Sequence, residues 1–180
     1  MANQMKLFEC CPSCGSKDVL FDGFKEFSCS ECSFIYYHNV AVGVAAILEL
    51  DQEILLIERG KDPGRGKLDL PGGFVDAKES AEEALSREIH EEIGIEINAA
   101  MLKYFGSYPN AYEYKGVVYQ TCDLFFYSRI DAYPTTFNKR EVQAVNLVNP
   151  AEIRSDRIAF PSVRACLSRF LETCKRRDRE

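Results

Sequence analysis

The segment from Gly72 to Ile95 constrains the fold of this chain most, because it joins a double-glycine turn to an amphipathic helix. The i, i+4 spacing of its apolar residues, followed by Gly94, predicts a helix over Glu79–Ile93. One face of that helix belongs to the core and is formed by Ala81, Leu85, Ile89 and Ile93. At about 100° per residue, a neighbouring stripe carries three carboxylates, those of Glu88, Glu91 and Glu92.

Carboxylates placed so close together repel each other and raise each other's pKa. Arg87 can pair with Glu83 and Glu91 at i±4 spacing, but one arginine does not neutralise three acids. A hard divalent cation such as Mg²⁺ or Mn²⁺ does, since it prefers oxygen ligands. Gly72 and Gly73 let the backbone approach a ligand closely and offer a carbonyl as a further ligand. The alternative is a solvated acidic helix face with ordinary salt bridges.

The pattern of these residues resembles the Nudix box, G-x5-E-x7-R-E-U-x-E-E-x-G-U, in which U is apolar. In this chain it begins at Gly73 and ends at Gly94-Ile95, and every fixed position fits. The intervening matches are Glu79, Arg87-Glu88-Ile89 and Glu91-Glu92. Around the box, the order of expected elements over residues 39–175 is similar to the whole Nudix fold.

The resemblance implies Mg²⁺- or Mn²⁺-dependent hydrolysis of a nucleoside diphosphate linked to another moiety. Carried over by position, the metal ligands are Glu88, Glu91, Glu92 and the carbonyl of Gly72. Arg87 resembles the residue that orients the catalytic glutamates, and Glu79 resembles the outer carboxylate that supports the site. Glu141 stands where such enzymes often carry a further ligand or base, although a surface acid between basic neighbours is an equal alternative.

Five of the eight cysteines lie within the first 32 residues, and four of them form two C-x-x-C pairs. The pairs are Cys11/Cys14 and Cys29/Cys32, with fourteen residues between them, and such turns converge on one tetrahedral Zn²⁺. The alternative is two disulfides, which the reducing cytoplasm disfavours. Cys10 is expected to be a bystander. We therefore expect a structural zinc ribbon over residues 1–38 and a Nudix domain over residues 39–180.

Charge argues against nucleic acid as a partner of the ribbon. Residues 1–38 carry three lysines against five acidic residues, and a zinc ion bound by four thiolates adds about two more negative charges. The whole chain of 180 residues has a net charge of −6. The apolar run Val40–Leu48 is too short to cross a bilayer, and the first nine residues have no apolar stretch typical of a signal peptide. We expect a cytoplasmic protein with no membrane contact.

A zinc ribbon ahead of a Nudix domain resembles the NADH pyrophosphatase branch. That branch carries S-Q-P-W-P-F-P-x-S, whereas this chain has Ser107-Tyr108-Pro109-Asn110-Ala111-Tyr112 and contains no tryptophan. Pro109 lies near a proline of the ADP-ribose branch, and Tyr112 lies near a tyrosine of the dinucleoside-polyphosphate branch. We expect the substrate, NAD(H) or ADP-ribose, to contact Gly73, Tyr108, Pro109, Asn110 and Tyr112, although half-buried strand aromatics are the simpler interpretation of the tyrosines.

Two other functions stay open from the sequence. One is a nucleotide-sensing binding module derived from the family, which the complete set of box carboxylates disfavours. The other is an RNA-directed hydrolase that removes nucleotide caps, which the acidic ribbon disfavours. Several branches of the family form dimers, so the resemblance allows a homodimer.

The fold class expected is α/β, a mixed sheet in an α/β/α sandwich. Apolar patterning and turn residues predict the remaining elements. The strands are expected at Val40–Leu50, Ile54–Glu58, Ile95–Ile97, Lys103–Tyr108, Val117–Arg129 and Val142–Val148, and a final helix is expected at Ser162–Lys175.

Overall fold

The computed structural model describes residues 8–177 of the chain, which divides into two compact units between Val40 and Ala41. In the first unit, three short strands form an antiparallel sheet in chain order: β1 (Val19–Phe21), β2 (Glu26–Cys29) and β3 (Ile35–Tyr37). The β1–β2 turn is fixed by the Asp22 carboxylate, which accepts hydrogen bonds from three backbone N–H groups. Those bonds, the one from Phe24 foremost, lower the pKa of Asp22.

The second unit is built on a seven-stranded mixed sheet with two helices. The elements are β4 (Ala41–Leu50), β5 (Glu53–Arg59), β6 (Leu68–Asp69), β7 (Gly72–Phe74), α1 (Ala81–Ile93), β8 (Lys103–Tyr114), β9 (Val117–Arg129), β10 (Val142–Val148) and α2 (Pro161–Arg177). The main path of the sheet runs β10-β5-β4-β9-β8, with β6 paired to β5 and β7 paired to β4. All pairs are antiparallel except β4 with β9, which run in parallel over Ala41–Glu49 and Thr121–Arg129.

The two helices cover opposite faces of this sheet, so the sequence expectation of a Nudix-type α/β/α sandwich is confirmed. Side chains alternate along each strand. In β5, Leu55 and Ile57 pack with α1, whereas Ile54 and Leu56 pack with α2. Because both faces are buried, β4 and β5 read as continuous apolar runs.

Helix α1 begins and ends on specific side chains. Ser80 forms a capping box with Glu83, since each side chain accepts a hydrogen bond from the other residue's backbone N–H. Gly94 closes the helix in the left-handed conformation, at φ 68°. The helix therefore starts at Ala81, two residues later than the sequence predicted. Glu83 is engaged in this cap and shows no pairing with Arg87.

The sequence prediction of a strand at Ile95–Ile97 is wrong. The segment forms no strand, and Ile95 and Ile97 instead pack against the α1 side of the core, which accounts for their alternating pattern. The sequence analysis did not predict strands β6 and β7, because segments of two and three residues are too short to show an apolar period. Strand β8 also runs six residues beyond the predicted Tyr108, to Tyr114.

Neither helix of the described chain is long and apolar enough to span a membrane.

Candidate functional site

The double glycine holds strand β7 against both the sheet and helix α1. A Cβ on Gly72 would lie 2.0 Å from the carbonyl oxygen of Val44 in the neighbouring strand. A Cβ on Gly73 would lie 2.3 Å from the carboxylate of Glu88. The first clash is with backbone and the second with the end of a side chain. Only glycine at both positions lets the sheet, the loop and the helix approach this closely.

Glu92 links α1 to this loop from inside the protein. Glu92 is 7% exposed, and its Oε2 accepts a hydrogen bond from the Gly72 N–H at 2.9 Å. Burial raises the pKa of Glu92 to about 8, with the Gly72 bond opposing the shift and neighbouring carboxylates adding to it. A cation bound nearby would stabilise the ionised form of this buried carboxyl group.

Arg87 ties the outer carboxylates together. Its guanidinium binds both oxygens of Glu79, at 2.8 and 3.0 Å, and Oε1 of Glu88 at 2.9 Å. It also contacts Glu91 at 3.4 Å and donates to the Phe74 carbonyl at 3.2 Å. These bonds lower the pKa of Glu79 and raise that of Arg87. Burial raises the pKa of Glu88 even though Arg87 opposes the shift. Arg87 thus makes a fork-like pair with Glu79, and its role in orienting the glutamates stays a prediction.

Glu141 lies at the same cleft, on the turn before β10. Its backbone carbonyl accepts from the Gly60 N–H at 2.7 Å, and its carboxylate pairs with Lys61. Its negative charge also adds to the raised pKa values of Glu88 and Glu92, after burial as the main cause. Its role as a ligand or base stays a prediction.

The box glutamates line one cleft without converging on one point. Across residues 8–177, the only set of three or more acidic, histidine or cysteine ligand atoms within 4.8 Å of one another is a cysteine set. Arg87 holds Glu88 and Glu91, whereas Glu92 turns inward to Gly72. Their assignment as metal ligands, with the carbonyl of Gly72, stays a prediction.

Beside the predicted Tyr112, the cleft holds residues that the sequence pattern did not reveal. Phe74 and Phe160 form an aromatic wall with Tyr112, whose ring centroid lies 5.3 Å from that of Phe74 and 5.7 Å from that of Phe160. Arg59 lies over the Phe160 ring at 4.8 Å and pairs with Asp69 at 2.8 Å. Burial raises the pKa of Asp69 to about 6, against the effect of Arg59. These residues come from distant segments and share no motif.

The predicted substrate residues of strand β8 divide between two places. Asn110 and Tyr112 line the cleft. Tyr108 does not: it lies on the same side of the strand, but its ring packs on Phe125 at 5.8 Å in the α2 core. Pro109 is exposed and, by strand alternation, faces the opposite side from Asn110. The cleft is therefore reached only by the second half of the Ser107–Tyr112 segment.

In the N-terminal unit, the four predicted cysteines come together. The Sγ atoms of Cys11, Cys14, Cys29 and Cys32 all lie within 4.8 Å of one another. Two of the distances, Cys11–Cys32 and Cys14–Cys29, are 3.7 Å. Four sulfurs at about 2.3 Å from a tetrahedral Zn²⁺ would be about 3.8 Å apart, so the cluster fits that ion. Cys10 is exposed and lies outside it, as expected.

Comparison with known proteins adds to this geometry. Residues 37–169 match the family model described as the NUDIX domain. The chain is 30% identical over 102 residues to the NAD-capped RNA hydrolase NudC of Vibrio parahaemolyticus, covering 57% of this chain and 38% of that protein. It is 51% identical over 59 residues to the ADP-ribose pyrophosphatase of Methanocaldococcus jannaschii, covering 33% of this chain and 35% of that protein.

The matches thus span little more than a third of the length of these two curated relatives. Among solved structures, a NUDIX hydrolase from Nitrosomonas europaea superposes with a TM-score of 0.65 at 26% identity. That likeness covers 92% of this chain and 91% of the other.

The two glycines are expected to respond differently to alanine. Gly73→Ala pushes only the end of the Glu88 side chain, so the fold should persist while Mn²⁺ affinity falls at least tenfold. Gly72→Ala meets the backbone of β4 and should lower the free energy of unfolding by more than 2 kcal/mol. Urea unfolding and Mn²⁺ titration calorimetry measure both effects. Equal losses of stability in the two variants would contradict the separation.

Proposed function

Because this chain belongs to the NUDIX domain family, we propose that it hydrolyses the pyrophosphate bond of a nucleoside diphosphate derivative. NAD(H) and ADP-ribose are the leading substrates. The observation that carries the proposal is the charge of the cleft beside the box helix. Its lining has two cations, Arg59 and Lys61, and seven carboxylates: Asp69, Asp76, Glu88, Glu91, Glu92, Asp123 and Glu141.

A pyrophosphate adds negative charge to this surface, so it binds only together with divalent cations. Glu88, Glu91, Glu92 and the Gly72 carbonyl are the groups that would hold Mg²⁺ or Mn²⁺. When bound, such an ion lowers the pKa of a water molecule and neutralises charge on the phosphoryl oxygens. The fit is supported by the buried, poorly ionised Glu92 and by Glu88 resting on the Gly73 backbone.

The remaining residues then have separate tasks. Arg87 and Glu79 fix the direction of the Glu88 carboxylate through the guanidinium. The Lys61–Glu141 pair places a carboxylate at the cleft that accepts a proton from the attacking water. Tyr112 and Phe160 offer ring faces on which a base stacks.

Two names among the relatives bear on the substrate. An ADP-ribose pyrophosphatase and an NAD-capped RNA hydrolase each match part of this chain, over 59 and 102 residues respectively. The second name favours capped RNA as a second candidate substrate. The negative charge of residues 1–38 disfavours an RNA-binding ribbon, so we place small nucleotides first.

Product analysis with the purified chain and Mg²⁺ tests the proposal. The substrates are NADH, NAD⁺, ADP-ribose, a nucleoside triphosphate and a short RNA with a 5′ NAD cap. AMP is the expected product from NADH or ADP-ribose. Faster decapping of RNA than cleavage of free NAD(H) would favour the second candidate. Tight nucleotide binding without cleavage of any substrate, with Mg²⁺ or Mn²⁺, would make the chain a binding module.

Glu88→Gln should leave the unfolding free energy within about 1 kcal/mol of the parent chain and lower kcat at least a hundredfold. The amide keeps the shape of the side chain but loses its charge at the cleft. The matched control is Glu82→Gln on the first turn of the same helix, outside the cleft lining, which should keep full activity. Glu88 would be structural if its variant lost stability in proportion to its activity.

We also propose that the cysteine cluster holds a structural Zn²⁺, consistent with reduced thiols in the cytoplasm. Cys29 is buried, and Cys29→Ser removes a ligand that serine replaces poorly. Zinc measured by mass spectrometry should fall from one ion per chain to near zero in this variant and stay at one in the Cys10→Ser control. A parent chain without zinc would end the proposal. The homodimer stays a prediction that sedimentation equilibrium measures.

A further inference from the structure

Strand β9 brings an unassigned carboxylate to the cleft. Asp123 lines it opposite the box loop, and its Oδ1 and Oδ2 each accept one hydroxyl hydrogen bond. The donors are Thr121 at 2.7 Å and Ser162, at the start of α2, at 2.6 Å. Both donors are buried, 3% and 1% exposed. The carboxylate is therefore held in a built position rather than free to move with solvent.

The backbone beside Asp123 is shaped for it. A Cβ on Gly43 would lie 2.7 Å from Oδ1 of Asp123, so the carboxylate stands directly over strand β4. Gly43 pairs with Asp123 on one side and with Phe74 of the box loop on the other. Strand β4 thus lies between β9 and the box loop, and the backbones of those two segments are two strand spacings, about 10 Å, apart.

The Asp123 carboxylate can accept further hydrogen bonds, and a carboxylate donates none. A carboxylate accepts about four hydrogen bonds, and the two hydroxyls use two of them. The neighbouring Asn110, which lines the same wall across from Thr121, has a buried Oδ1 without a partner in the part of the chain described. This wall therefore suits a ligand group that presents hydrogen-bond donors, and its negative charge repels a phosphate.

We infer that Asp123 is a specificity-determining residue that binds the vicinal hydroxyls of the ribose next to the diphosphate. The assignment rests on the proposed function, which places the diphosphate at the box glutamates. A ribose diol supplies two adjacent donors, and carboxylates bind such hydroxyls in other nucleotide sites. Tyr112 lies on the same face of β8 as Asn110, about 7 Å further along, where it meets the base. In this proposal the diphosphate lies at the box glutamates, the ribose at Asp123 and the base at Tyr112, whose ring also contacts Phe74 of the box loop.

Binding of mononucleotides tests this without requiring cleavage. We expect the full chain with Mg²⁺ to bind AMP about 10- to 100-fold more tightly than 2′,3′-dideoxy-AMP by titration calorimetry, the range for hydrogen bonds to a charged acceptor. In Asp123→Asn and Asp123→Ala the preference should fall below about threefold, while affinity for the dideoxy nucleotide stays within about twofold. The asparagine variant keeps the fold, because one hydroxyl still donates to its Oδ1 and the other can turn to accept from its Nδ2.

Glu113→Gln is the control for removal of a charge, since Glu113 is exposed on β8 and outside the cleft lining. It should keep the AMP preference. A residue that only fastened α2 would lower thermal stability and leave the ratio of the two affinities unchanged, and that result would overturn the assignment. Equal weakening of GMP and 2′,3′-dideoxy-GMP in Asp123→Asn would overturn it too, because the carboxylate would then read a base edge.

The outcome is separable from that of the proposed function. A chain that cleaves no dinucleotide but loses its AMP preference in Asp123→Asn would keep this site and lose the hydrolase assignment. A chain that cleaves NADH or ADP-ribose with an unchanged preference in the variant would keep the hydrolase and lose the site.

Discussion

The contact of the double glycine with β4 and α1 is the constraint on which the site depends. Gly72 lies against the backbone of Val44, and Gly73 lies against the carboxylate of Glu88. The Gly72 N–H is also satisfied by the buried Glu92. One short loop thus fixes the distance between the sheet and the acidic stripe of the helix. A side chain at Gly72 would push the loop away from β4, and one at Gly73 would displace the Glu88 carboxylate.

In the folded chain, this arrangement holds carboxylates close together, where they repel each other and are costly to ionise. Burial raises the pKa values of Glu92 and Asp69, and neighbouring carboxylates add to both shifts. Arg87 relieves only the outer part, because it binds Glu79 and Glu88 but not Glu92. The cost is offset elsewhere by two apolar layers that bury the sheet on both faces. Repulsion left uncompensated in a cleft is more typical of a binding site than of a structural ion pair.

The sequence predicted correctly those features whose residues lie close together in the chain and share a regular spacing. The α1 helix, the glutamate stripe and the cysteine pairs each lie within short segments, so spacing alone locates them. Asp123, Phe160 and Arg59 could not be found this way, because they meet through the parallel pairing of β4 with β9 and the return of α2 across the sheet. The Ile95–Ile97 pattern misled because packing on a core surface produces the same alternation as a strand. Which residues of Ser107–Tyr112 line the cleft likewise depends on which face of strand β8 is turned toward it, and the sequence does not show this.

The proposed orientation of a nucleotide rests on how charged and aromatic side chains are distributed along the cleft. At the box end, the carboxylates of Glu88 and Glu92 belong to α1, and the lack of a side chain at Gly73 lets Glu88 lie against the loop backbone. At Asp123, each carboxylate oxygen accepts one hydroxyl hydrogen bond and can accept another. A phosphate placed at Asp123 would face its charge without the set of ligands that a compensating cation requires. The aromatic wall, which carries no charge, favours the base. In the proposed orientation, a nucleoside diphosphate would place its diphosphate linkage beside the box helix and its ribose at Asp123.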